Sequence, residues 1–136
     1  MAKQWMKVVA LVATLSGCAL LQPGRDPADA QAAGLDAGTL VCAVLIGEAP
    51  ELRSQVEAAI TRASKVLAAP DITGAAVVEA LSEIRDWRWR IYAQSAVRIL
   101  LRRMTGAGLD VTLPPNSPAV VGAKAFFTAC SRIVAA

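Results

Sequence analysis

The chain contains no histidine, and that absence removes more chemistry than any other feature of its composition. Ser-His-Asp and Cys-His catalysis, HExxH zinc sites and imidazole ligation of a metal all need that residue. Cysteine is scarce as well: Cys42 and Cys130, the two away from the N-terminus, are too few for a structural zinc site. Aromatic residues make up only 4% of a chain that is 55% hydrophobic. The apolar content is therefore carried largely by alanine, with Leu, Val and Ile at spacing, which points to packed helices. The glycine-bearing stretch Thr105-Gly106-Ala107-Gly108 lacks the lysine and the following helix of a phosphate-binding loop. No internal repeat is apparent. Nothing in this inventory implies a metal or a cofactor, and the chain is not expected to be an enzyme.

What is present begins at the N-terminus. Lys3 and Lys7 precede an apolar run from Val8 to Leu15, which leads into Leu15-Ser16-Gly17-Cys18. A basic start, a short apolar stretch and small residues before a cut are the layout of a secretory signal peptide. The lysines favour the cytoplasmic side while the apolar stretch enters the membrane. Val8 to Leu21 contains Thr14, Ser16 and Gly17 and falls short of the roughly 20 apolar residues a spanning helix needs. Pro23 and Gly24 then end any helix quickly. The four residues 15–18 closely resemble the lipobox of bacterial lipoproteins, whose type II signal ends in a cysteine after small residues. That resemblance implies cleavage before Cys18 and lipidation of its thiol and its new amine. Two or more acyl chains hold a protein on a membrane durably, where one does so marginally. Ala19 in place of Asp after the cysteine favours the outer membrane by the family's sorting habit. The expected site is thus the bacterial envelope, lipid-anchored and facing the periplasm.

Losing Lys3 and Lys7 from the 14 basic residues leaves 12 against 11 acidic ones. Near-neutral charge gives no reason to expect a nucleic-acid partner. With Cys18 lipidated, Cys42 and Cys130 remain as a pair, and an exported protein meets oxidising conditions, so they read first as a disulfide. Such a bond closes a long loop and is worth about 4 kcal/mol on chain-entropy grounds. Two buried free thiols are the alternative.

The expected organisation is a signal peptide over 1–17, a lipid-anchored tether over 18–36 and a helical domain over 37–136. Residues 22–36 are rich in Pro, Gly, Asp and Ala without an apolar period, which suits a flexible or weakly helical tether. A short helix is expected from Ala37 to Ile46, capped by Asp36 and closed by Gly47. Pro50 and Glu51 open an amphipathic helix on Leu52, Val56, Ile60, Ala63 and Leu67 that stops before Pro70. Thr73 caps the longest helical stretch, which runs to Met104. Val77, Leu81, Ile84, Trp87 and Ile91 cluster on one side of it, and Ala93, Ala96, Val97, Leu100, Leu101 and Met104 nearly opposite. With no Pro or Gly to mark a kink, the pattern favours one continuous helix with two burial faces, packed against different elements or another subunit. A loop over 105–117 precedes a last helix from Pro118, with Ala119, Ala123, Phe126, Cys130 and Ile133 on one stripe. Lys124 and Arg132 argue against a membrane span there. The fold class is all-α, a small bundle of about four helices behind its tether.

Two side-chain groupings carry candidate chemistry. Glu79, Glu83 and Asp86 share a face of the expected helix, but nothing opposite them is identifiable, and an exposed charged face explains them better. The second is the run Arg85-Asp86-Trp87-Arg88-Trp89-Arg90-Ile91-Tyr92 with Arg98, Arg102 and Arg103 beyond it. Interleaved Trp and Arg suit nucleic acid, anionic head groups or a protein interface. An exported protein rarely meets nucleic acid, which leaves a lipid surface or a protein partner. The competing reading puts the tryptophans in a core and pairs the arginines with carboxylates such as Glu79 and Glu83. The expectation is therefore an envelope lipoprotein acting as a structural or protein-interaction module, with Trp87, Arg88, Trp89, Arg90, Arg98 and Arg102 as its contact residues. An outer-membrane spanin-like lysis lipoprotein shares the lipobox and the size, although the usual proline-rich mature region is absent. A surface-exclusion lipoprotein is a further alternative.

Overall fold

The computed structural model describes residues 27–106 and 108–136. The expected signal peptide, the expected lipidation site Cys18 and the first part of the expected tether lie outside the described residues, as does Ala107 of the glycine-bearing loop. Among the described residues there are five α-helices: α1 (Pro27–Glu48), α2 (Arg53–Ala68), α3 (Gly74–Ala80), α4 (Trp87–Thr105) and α5 (Pro118–Ala135). The expected all-α class is what is found. The only strands among the described residues are two-residue pieces, Ile72–Thr73 antiparallel to Thr112–Leu113, with Ile72 opposite Leu113.

The first helix begins ten residues earlier than expected, at Pro27 rather than Ala37. Residues 27–36, assigned above to the tether, are therefore helical. Proline is favourable in a first turn, and Asp29 lies at the positive end of the helix. What holds this turn down is a stripe of small buried residues, Ala30, Gly34, Ala37 and Gly38. Alanine and glycine contribute no hydrophobic period, so the stripe is silent in a pattern search, yet it lets α1 press directly on α5. A Cβ added to Gly34 would lie 2.1 Å from the Gly122 carbonyl oxygen, and one added to Gly38 would lie 2.2 Å from that of Phe126. Further along the same seam Cys42 and Cys130 are bonded, with Cα atoms 5.2 Å apart across 88 residues of sequence. Gly47 does not close α1; it is helical.

The long helix expected from Thr73 to Met104 is broken. Thr73 caps α3 as expected, its hydroxyl accepting from Ala76 N at 3.1 Å. The helix then tightens into a 3-10 turn at Leu81–Glu83, and Ile84 is extended. Asp86 starts α4 afresh, its carboxylate accepting from Arg88 N at 3.0 Å. Arg85 N, which a continuous helix would have bonded internally, donates to Gln55 Oε1 at 2.7 Å. An N-cap and a borrowed acceptor do here what proline or glycine does elsewhere. The break also resolves the two-stripe pattern. Val77, Leu81 and Ile84 from α3 and its 3-10 turn, and Ala93, Ala96, Val97, Leu100 and Leu101 from α4, all enter a single core. Trp87 and Ile91, expected in the first stripe, are left outside, 56% and 48% exposed.

The remaining elements follow their local signals. Pro50–Leu52 forms a 3-10 turn that leads into α2, whose Val56, Ala63 and Leu67 are buried. Gly106 ends α4 in the left-handed conformation, φ 64°, which glycine adopts without the strain of a side chain. Ser117 caps α5, accepting from Val120 N, and Arg53 Nη1 donates to the carbonyl of Val134 in its last turn. Phe126, fully buried, sits where α5 meets the rest of the core.

Candidate functional site

The solvent side of α4 is the one surface where the expected contact residues gather. At 100° per residue, Trp87, Arg88, Ile91, Ser95, Arg98 and Arg102 fall within an arc of about 100° on that helix. The opposite arc, centred on Ala96 and Leu100, is buried. The sequence of α4, WRWRIYAQSAVRILLRRMT, carries five arginines and no acidic residue in 19 positions. Arg102 and Arg103 occupy its last turn, where the negative end of the helix dipole favours cations.

The six residues singled out from the sequence do not all point the same way. Trp87, Arg88, Arg98 and Arg102 are exposed. The guanidinium carbon of Arg88 lies 5.6 Å from the Trp87 ring centroid, a cation–π contact at the start of the helix. Trp89 turns inward, half-buried against the core, and meets Tyr92 edge-on with ring centroids 5.8 Å apart. Arg90 is half-buried on the flank. The exposed face of α4 therefore carries Trp87 but not Trp89, and it also carries Ile91; helical periodicity across an unbroken 73–104 had put Trp87 and Ile91 in a burial stripe. Asp86, a capping residue immediately before Trp87, was the signal that could have reset the phase.

The competing reading, in which these arginines pair with carboxylates such as Glu79 and Glu83, finds no such pair among the described residues. Glu83 pairs with Arg62 instead, at 3.5 Å, in the one ion pair found among the described residues. The three carboxylates proposed as a face are dispersed: Glu79 is exposed on α3, Glu83 is on the 3-10 turn, and Asp86 is a cap. Among the described residues no group of three His, Cys, Asp or Glu side chains is arranged to hold a metal.

Two shallow grooves run along α5. One lies against α2, with Ile60, Leu67 and Phe127 in its wall and Lys124 and Arg132 in its lining. The other, towards α1, is lined by Gln31 and Leu35 and shares Lys124 and Arg132. Two hydroxyls near them are engaged within their own helices, Ser64 to the Ile60 carbonyl and Thr128 to the Lys124 carbonyl. Among the described residues α1 and α5 are long and apolar enough to cross a membrane by length and composition, and 44% and 56% of those stretches are buried, against each other and the core.

No protein-family model matches the chain, and no curated protein or solved structure is detectably similar to it.

Proposed function

We propose that the chain is an exported lipoprotein, acylated at Cys18, whose helical domain works at the bacterial envelope as a structural or interaction module. The observation that carries this reading is the distribution of its three cysteines. Cys42 and Cys130 are bonded across the central seam, a bond typical of oxidising compartments, which leaves Cys18 of the lipobox as the single cysteine outside a disulfide. Contact rather than catalysis is supported by the outer face of α4, where exposed Trp87 and Ile91 sit among arginines. Tryptophan and arginine are the residues most enriched where binding energy concentrates.

The test is the intact mass of protein extracted from membranes, with and without reductant. A chain beginning at Cys18 and carrying acyl groups, two hydrogens heavier after reduction, is the expected result. An unprocessed chain with free thiols would overturn the anchor and the compartment together. Trp87→Ala with Arg98→Ala, both at exposed positions, should then remove crosslinks from α4 to its envelope contact while leaving the unfolding transition in place.

A further inference from the structure

We infer that the outer face of α4 docks on the anionic phospholipid head groups of the membrane that carries the anchor, so that the helix lies along the bilayer surface. This rests on the lipid-anchored reading above and names the contact of the same surface. Three independent observations lead to it.

The first is charge. α4 has five arginines and no carboxylate, and Arg85 adds another just before it. Among the described residues none of these arginines is in an ion pair; the one bridge present belongs to Arg62 and Glu83. A helix face of a single sign, spread over about 28 Å of length, matches an extended anionic plane better than a localised acidic site.

The second is the kind of apolar residue it shows. Trp87 and Ile91 stand one turn apart on the exposed arc, 56% and 48% exposed. Tryptophan favours the head-group level of a bilayer, where its ring is buried and its N–H stays wet. Arginines at both ends of the arc can lay their stems along the apolar boundary and keep their guanidinium groups among phosphates.

The third is geometry. A Cβ built on Gly122 would lie 3.3 Å from the Ala30 carbonyl oxygen and 3.7 Å from Met104 Cε. The start of α1 therefore sits beside the end of α4, the end that carries Arg98, Arg102 and Arg103. Eight residues separate Cys18 from Pro27, and fully extended they span about 30 Å. An acylated Cys18 thus keeps Pro27 within that distance of the bilayer, with the arginine end of α4 beside the first turns of α1. The membrane is the one partner the anchor guarantees, and it is always within reach of this face. The grooves described above lie along α5 and are not part of it.

The experiment follows Trp87 alone. Full-length protein carrying Trp5→Phe and Trp89→Phe is purified from membranes, its acylation read by intact mass, and its fold checked by cooperative unfolding. It is then placed on phosphatidylcholine vesicles with or without phosphatidylglycerol, each doped with brominated lipid. The expected result is quenching of Trp87 that appears with phosphatidylglycerol and is released by salt. In the same background Arg98→Ala with Arg102→Ala should lower the ratio of docked to undocked protein roughly thirtyfold, about fivefold per arginine. Both are exposed, so a folding defect does not confuse the readout. The arginine pair is also tested in the parent protein by salt-dependent release, should Trp89→Phe fail to fold.

Acylated protein whose Trp87 remains unquenched on phosphatidylglycerol overturns the docking face and leaves the anchor intact. Equal quenching on both vesicle types overturns it too, since the face would then read apolarity and not charge. An unacylated mass with quenching that still depends on phosphatidylglycerol overturns the anchor and supports the face. An envelope protein that buries Trp87 in competition with anionic vesicles would replace the lipid surface as its partner and overturn the inference.

Discussion

The seam between α1 and α5 and the seam between α4 and the bundle are built in opposite ways. At the first, backbone meets backbone: Gly34 and Gly38 admit the carbonyls of Gly122 and Phe126 with no room for a methyl group, and a disulfide fastens the same pair. At the second, side chains do the work, with Leu100, Leu101, Val97 and the Trp89–Tyr92 edge contact filling the gap. The difference shows that hydropathy alone does not say which helix face is left outside. α1 and α5 are the ones apolar enough to span a bilayer, and they use that character to find each other. α4 is poorer in apolar residues, yet it is the helix that presents tryptophan, isoleucine and arginine together to the outside.

The comparison breaks most readily at the disulfide. Cys42→Ala with Cys130→Ala frees a loop of 88 residues and should lower unfolding stability by about 4 kcal/mol in urea. A loss below about 1 kcal/mol would mean that glycine contact alone holds the seam and that the bond adds little to it.

Glycine substitution sharpens the same point with a smaller effect. Gly38→Ala places a methyl 2.2 Å from the Phe126 carbonyl oxygen and 2.9 Å from its Cα. Backbone cannot rotate away, so the helices must separate, at a cost of about 3 kcal/mol. Gly47→Ala, in the same helix but with nothing within 4 Å, should instead stabilise by about 0.5–1 kcal/mol, because alanine suits a helix better. Similar urea midpoints for the two variants would sink the close-approach account.

How much of this was legible depended on whether the deciding residue had a voice in local patterns. The cap at Thr73, the stripe of α2 and the pairing of Cys42 with Cys130 could all be read, since each rests on residue types with strong local or chemical preferences. The start of α1 could not, because Ala30, Gly34, Ala37 and Gly38 matter for being small, and smallness produces no amphipathic signal until the partner helix is known. The break before α4 was missed for a related reason. Ile84 is buried on either side of it, and the acceptor that replaces a helical bond for Arg85 is Gln55, thirty residues away. That one error in phase had put Trp87 and Ile91 in a burial stripe, and both are exposed instead, on the face that carries Arg88, Arg98 and Arg102.

The smallest effect lies in the side-chain seam. Tyr92 is the only tyrosine of the sequence; it is buried, and its hydroxyl has no hydrogen-bond partner among the described residues. Burial pushes its pKa up from the ordinary 10.0 to about 12. The unfolded chain therefore gives up this proton near pH 10 while the folded chain keeps it to about pH 12. Over that window the unfolded state binds fewer protons, so the contribution of Tyr92 is fully present below about pH 10 and is lost as pH rises through 12. Tyr92→Phe removes the unpartnered hydroxyl and keeps the ring against Trp89. At neutral pH it should leave stability unchanged or raise it by up to about 1 kcal/mol, and it should flatten the alkaline decline relative to the parent. Phenolate absorbance has a single source here, so the shift can be read directly in the folded protein. A transition near pH 10 would mean that water reaches the hydroxyl and that α4 is seated less tightly than its buried face implies. A transition near 12, absent in Tyr92→Phe, would fix the inner side of α4 as dry.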